Sequence, residues 1–286
     1  VTVRGGTGAR VTSALGAAAG VVTLAGMIAT PLAARGGATR RALSSVVVTG
    51  LFTTTASRVA HRWGPTRAGS AAAAVAAATA LVERVGTRTG LPFGRYHYTP
   101  ALRPQVGGVP VIVPLAWFAM AVPAREAAVG ALAPVERRAA AAGAASATAG
   151  PRLATRARRV VLGAAALTAW DLFLDPQMVG EGYWRWARRG RYRGIPLSNY
   201  LGWFVTAVGV MAALELLLPA DDVADPVLEA EYSTMAVMET LGFAAFFRDP
   251  LVAAVGGAGM LPIGLAAARG RWHDRHWRRR RPGGSR

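Results

Sequence analysis

Two carboxylates four residues apart, in Trp170-Asp-Leu-Phe-Leu-Asp-Pro-Gln-Met, carry the most chemical information in this 286-residue sequence. Asp171 and Asp175 fall on one face of a helix about a turn apart. Both lie in the run 160–184, which carries no basic residue. A carboxylate in hydrocarbon costs at least about 2.5–3.5 kcal/mol, so such residues are functional candidates. Two close carboxylates in an apolar site cannot ionise independently, and one holds a proton at neutral pH. The pair then supplies an acid and a base together. The competing reading is a pair of packing acids satisfied by Arg or Trp N–H groups. Pro176 disfavours helix at Asp175, which predicts an end or kink there, with Asp175 at the mouth of a cavity.

Glu83 is the second candidate acid. It closes an Ala-rich run just before a Gly-rich segment containing Gly94-Arg-Tyr-His-Tyr-Thr. Tyr96 and Tyr98 flank His97, and the segment reads as a structured re-entrant or interfacial loop. A belt of aromatic residues at the membrane surface is the alternative. Glu181, Trp184, Trp186 and Tyr192 follow the Asp pair, a density that lines a lipophilic slot or sits at headgroup depth. Glu215 and Glu239 are weaker candidates. A runner-up chemistry pairs Asp171 and Asp175 with Asp221-Asp-x-x-Asp225 as two magnesium sites holding a diphosphate, for membrane prenyl transfer. That loop carries no Arg or Lys for phosphate, and a solvated acidic loop explains it more simply. A third reading is a transporter or assembly protein with the buried acids as proton relays. The chain has no Cys, hence no thiolate metal site or disulfide, and its four His lack zinc-ligand spacing. No metal or other cofactor is expected.

The elements that must position these residues are apolar. Charge-free runs cover 11–34, 42–57, 68–82, 104–124, 194–214 and 250–268, and acids alone interrupt 160–184 and 232–247. A membrane span needs about 20 apolar residues. Hydrophobic residues make up 52% of the chain and charged ones 17%, which excludes disorder and argues against a charged-surface soluble enzyme. All 33 basic residues are Arg, set against 15 acids for a net charge of +18. They cluster outside the apolar runs, at Arg35, Arg40 and Arg41, Arg58, Arg62 and Arg67, Arg152 to Arg159, Arg185 to Arg193 and the tail. They read as loop charges and lipid contacts, and no nucleic-acid partner is expected.

The expected fold is all-α, a polytopic membrane helical bundle of seven or eight transmembrane helices. One integral-membrane domain covers 1–268, with a flexible linker at about 138–152 and an Arg-rich tail at 269–286. The run 11–34 exceeds the apolar core of a signal peptide and reads as a first span. The tail places the C-terminus in the cytoplasm of a multi-pass cell-membrane protein. The acidic stretch 221–231 prefers the other side, which needs an odd number of crossings between them. The run 232–247 is then a partial or surface-lying helix, or the charge rule is broken.

Two blocks resemble the integral-membrane carotenoid hydratases of the carotenoid biosynthesis protein group. The first, 83–117, carries Gly94-Arg-Tyr-His-Tyr-Thr and Pro114-Leu-Ala-Trp. The second, 169–203, carries Trp170-Asp-Leu-Phe-Leu-Asp-Pro-Gln-Met, Trp184-Arg-Trp and Asn199-Tyr-Leu-Gly-Trp. The resemblance implies hydration of the terminal isopropylidene double bond of an acyclic carotenoid, giving a tertiary alcohol. It implies Asp171 or Asp175 as general acid, the other orienting and deprotonating water, with Glu83 beside them. Tyr96, Tyr98, Trp170 and Trp184 would face the carbocation. His97, Trp117, Glu181, Trp186, Asn199 and Trp203 complete the expected substrate-binding set. The implied partners are a lipophilic carotenoid, membrane lipid and other enzymes of the same pathway.

Overall fold

The computed structural model describes residues 7–141, 149–219 and 223–280, and most of them are helical. Among the described residues, eight α-helices run in chain order: α1 (Thr7–Ala29), α2 (Ala38–Trp63), α3 (Pro65–Thr89), α4 (Ile112–Ala141), α5 (Ala149–Gly180), α6 (Leu197–Leu217), α7 (Pro226–Leu241) and α8 (Pro250–Arg280). Four short strands lie between them: β1 (Tyr96–Tyr98), β2 (Gln105–Val106), β3 (Val109–Pro110) and β4 (Trp184–Trp186). The all-α expectation holds. Helices α1, α3, α4, α6 and α8 contain stretches long and apolar enough to cross a membrane.

Helix α4 is the axis of the bundle. Residues 117–130 are all buried, because α2, α3, α5, α7 and α8 pack around it. A helix apolar on every side belongs in such a position. Small residues permit the close packing: a Cβ at Gly270 of α8 would lie 2.3 Å from the Gly130 carbonyl oxygen of α4. Helix α1 instead lies against α2 and leaves Val21 67% exposed, as a lipid-facing helix would.

Of the end or kink expected at Pro176, the end does not occur, since α5 continues to Gly180. The Leu172 carbonyl, four residues back, loses its usual N–H donor. The Tyr192 hydroxyl donates to it at 2.9 Å. Pro123 in α4 is handled alike, with the Thr55 hydroxyl donating to the Ala119 carbonyl at 2.9 Å. Side chains from neighbouring segments thus replace the missing backbone donors inside the apolar bundle.

Several arginines expected in loops lie inside helices. Arg40 (3% exposed) pairs with Glu181 at 2.8 Å, and Arg159 (6%) pairs with Glu136 at 2.5 Å. Arg58 and Arg62 of α2 reach Asp225 at 2.7 and 3.3 Å. Burial forces each charge to take a partner, and the acids of other helices supply it. The stretch 232–247 is not a surface-lying helix either: α7 packs against α4 and α8, with Tyr232, Met235 and Ala236 buried, and ends in a π-helical turn at Gly242–Phe246. Of the linker expected at 138–152, residues 142–148 lie outside the described residues, and α4 and α5 reach Ala141 and Ala149. The last six residues of the tail also lie outside them.

Candidate active site

Helix α3 ends at Thr89, and the chain folds back so that Phe93 and Tyr96 pack on it. Gly86 and Gly202 admit this loop, because a Cβ at either would come within 2.9 Å of the Phe93 ring. The fold-back pairs β1 with β4 antiparallel, placing Tyr96 opposite Trp186, His97 opposite Arg185 and Tyr98 opposite Trp184. Alternation along the ladder turns Tyr96, Tyr98, Trp184 and Trp186 into a cavity and His97 outward to an exposed position.

This two-stranded clamp holds two acids. From β1, Tyr98 Oη donates to Glu83 Oε2 at 2.7 Å, and Tyr96 Oη donates to the same oxygen. From α4, Trp117 Nε1 donates to Glu83 Oε1 at 3.3 Å. From β4, Trp184 Nε1 donates to Asp175 Oδ1 at 2.6 Å. Burial, and then the charge of Glu83, raise both tyrosine pKa values above the usual phenol range, so Tyr96 and Tyr98 remain donors.

The Asp pair divides. Asn199, near the start of α6, donates Nδ2 to Asp175 Oδ2 at 2.6 Å and to Asp171 Oδ2 at 2.8 Å. Asp175 lines the cavity with Glu83, whereas fully buried Asp171 lies behind Asn199 with Oδ1 unpartnered. No Arg pairs with any of the three acids among the described residues.

The cavity has a volume of about 350 Å³ and a mostly aromatic and aliphatic wall. Trp117 and Trp203 stack with centroids 3.9 Å apart, and Trp170 meets Trp203 edge-on at 6.3 Å. Together with Tyr96, Trp184 and Trp186 they surround the space next to the acids with π faces. Asp175, Glu83, Tyr96, Tyr98, Trp117, Trp170, Trp184, Trp186, Asn199 and Trp203 therefore come together. His97 and Glu181 do not: His97 faces outward, and Glu181 is tied to Arg40.

Sequence reasoning missed Tyr183, Gln177 and Ser44 in the wall and underrated Glu239, whose carboxyl faces the cavity with no partner among the described residues. The charge-free context of Glu239 was its only signal. Glu215 is structural, bound by Arg125 at 2.8 Å. Among the described residues the magnesium arrangement is not assembled. Asp225 caps α7 through the Val227 and Leu228 N–H groups and accepts Arg58, while Asp221 lies outside the described residues.

A model of the family described as "Carotenoid biosynthesis protein" matches residues 42–270, which includes every site residue and leaves α1 outside. The bisanhydrobacterioruberin hydratase of Haloarcula japonica is 28% identical over 221 residues. The alignment covers 73% of this chain and 64% of that protein, less than two thirds of the relative's length. No solved structure matches the chain.

Proposed function

The chain belongs to the carotenoid biosynthesis protein family, and from that premise we propose that it adds water to the terminal isopropylidene double bond of an acyclic carotenoid. The observation that carries this reading is the placement of Asp175 and Glu83 in one aromatic cavity, each held by neutral donors and neither matched by Arg.

Asp175 is the general acid in this reading. Its proton goes to the less substituted alkene carbon, and the π pair becomes the new C–H bond. The tertiary cation left behind is attracted to the faces of Trp117, Trp170, Trp184 and Trp203. Water attacks the cation, and Glu83, to which three donors point, accepts the proton that water releases. The adduct gains one water with no change of oxidation level, so the steps call for no redox cofactor. A proton returned from Glu83 to Asp175 resets the site. Asp171 acts through Asn199, whose amide donates to both carboxyls and fixes the orientation of Asp175.

A cavity of this size takes the end group, while the polyene extends along the bundle. In this reading the protein works as a multi-pass protein of the cell membrane, where its lipophilic substrate partitions, with its Arg-rich tail on the cytoplasmic face. Expression in a host that makes an acyclic carotenoid tests it. The pigment should gain the mass of one water, and Asp171→Asn and Asp175→Asn should each lose that gain. A gain of an isoprenoid unit, sensitive to EDTA, would establish prenyl transfer instead.

A further inference from the structure

A second cavity of about 380 Å³ lies between α1, α2 and α7, and it meets the first one end to end. Met27, Leu51 and Met235, one from each helix, line both cavities and form the partition between them. Along α7, the walls run from Val227 in the second cavity to Leu241 in the first, about 21 Å of helix at 1.5 Å per residue. The two cavities together follow the bundle lengthwise, from the end of α2 to the acid site.

The second cavity is largely apolar, as the first is, with polar groups set into its wall. The wall of the second cavity carries Ser13, Thr54, Ser57, His61, Glu231 and Thr234. Glu231 takes a hydrogen bond from Thr55 Oγ1 at 3.1 Å on Oε1, while its buried Oε2 has no partner among the described residues. Glu231, Met235 and Glu239 recur every four residues on one face of α7, so a carboxyl stands on each side of the partition. A polyene or lipid chain in the second cavity would leave the buried Glu231 Oε2 without a partner, which is costly. Water satisfies it, and a cavity of this volume has room for several molecules. At its outer end Ser13 and His61 are exposed and 3.4 Å apart.

We infer that the second cavity is the water inlet of the acid site, with Met27, Leu51 and Met235 as its seal and Glu239 as the first polar contact beyond it. The inference rests on the hydration reading, which consumes one water per turnover inside a largely apolar bundle. The unbranched methionine side chains can move aside for water without a change in backbone.

The absence of Cys makes the test direct. Thr54→Cys and Thr234→Cys, in the full chain in membranes, should react with 2-(trimethylammonio)ethyl methanethiosulfonate, while Val21→Cys on the lipid face should not. Gly20→Leu would fill the inlet, since a Cβ there has only the Thr54 hydroxyl as neighbour, at 3.8 Å. It should lower hydration at least about tenfold, a barrier change of roughly 1.4 kcal/mol. The starved cation should then lose a methyl proton to Glu83, so a double-bond isomer of the substrate should accumulate. Unreactive Thr54→Cys and Thr234→Cys, or undiminished hydration in Gly20→Leu, would overturn the inlet while hydration stands. Labelled cysteines in a protein that forms no water adduct would instead overturn the hydration reading, and the inlet's role with it.

Discussion

Two groups of buried carboxylates are treated oppositely in this bundle. Around α4, Arg125 bonds Glu126 at 2.6 Å and Glu215 at 2.8 Å, and the adjoining Arg58 and Arg62 hold Asp225. There every acid has a cation, and the cluster ties α2, α4, α6 and α7 together. Around the cavity, Glu83, Asp171 and Asp175 receive hydrogen bonds only from Tyr, Trp and Asn. Guanidinium partners favour the anionic form of a carboxylate. Neutral donors orient it and leave its proton free to move. The comparison separates acids that hold the fold from acids that do chemistry, although all six are buried.

The largest effect that would break this distinction is on rate. Glu83→Gln keeps the size of the side chain and removes the base, so hydration should fall about 10²–10⁴-fold with the fold retained. Product formation against the amount of folded protein measures it. In the other region, Arg125→Ala leaves Glu126 and Glu215 with only the longer contacts to Arg62 and Arg156, at 3.5 and 3.8 Å, and should destabilise the protein by up to about 3–5 kcal/mol. Denaturation in mild detergent reads that loss, and residual folded protein should retain its rate. Tyr98→Phe should have a smaller effect. It removes one donor from Glu83, worth about 1.5–3 kcal/mol in hydrogen bonds to charged groups, and should slow hydration about tenfold or more.

The smallest effect concerns acid. Burial opposes ionisation of Asp225, but the hydrogen bonds and charge of Arg58 and the first N–H groups of α7 outweigh it and hold its pKa below the usual carboxylate range. Stability from a depressed pKa is present above the unfolded value of about 3.9 and is lost as pH falls from there through the lower folded value. The melting temperature should therefore drop on acidification through that window. Asp225→Asn should be less stable at neutral pH and show a shallower drop.

The sequence made the helices and the acids legible, and it left their partners hidden. Local hydropathy was enough to show the long apolar helices, and Asp171-x3-Asp175 and Glu83 stood out as charges in apolar runs. The β1–β4 ladder was not legible, since Tyr98 and Trp184 pair across two intervening helices, α4 and α5, and neither strand has a strand-length pattern. Tyr192 lies beyond β4 from Pro176, outside any local helix pattern, which is why an end or kink was expected where a hydroxyl repairs the helix. Spacing put Asp171 and Asp175 on one face, but could not show that Asn199 would stand between Asp171 and the cavity. Arg40 read as a loop charge and Glu181 as a substrate-binding residue, and the fold instead pairs them with each other.

The most direct test of the central claim compares two neutralised acids, Asp175→Asn and Glu126→Gln, at equal amounts of folded protein in membranes supplied with an acyclic carotenoid. The account requires Asp175→Asn to fold like the parent and form almost no water adduct, and Glu126→Gln to be less stable while hydrating at the parental rate per folded molecule. Hydration that survives in Asp175→Asn, or disappears in folded Glu126→Gln, would contradict it.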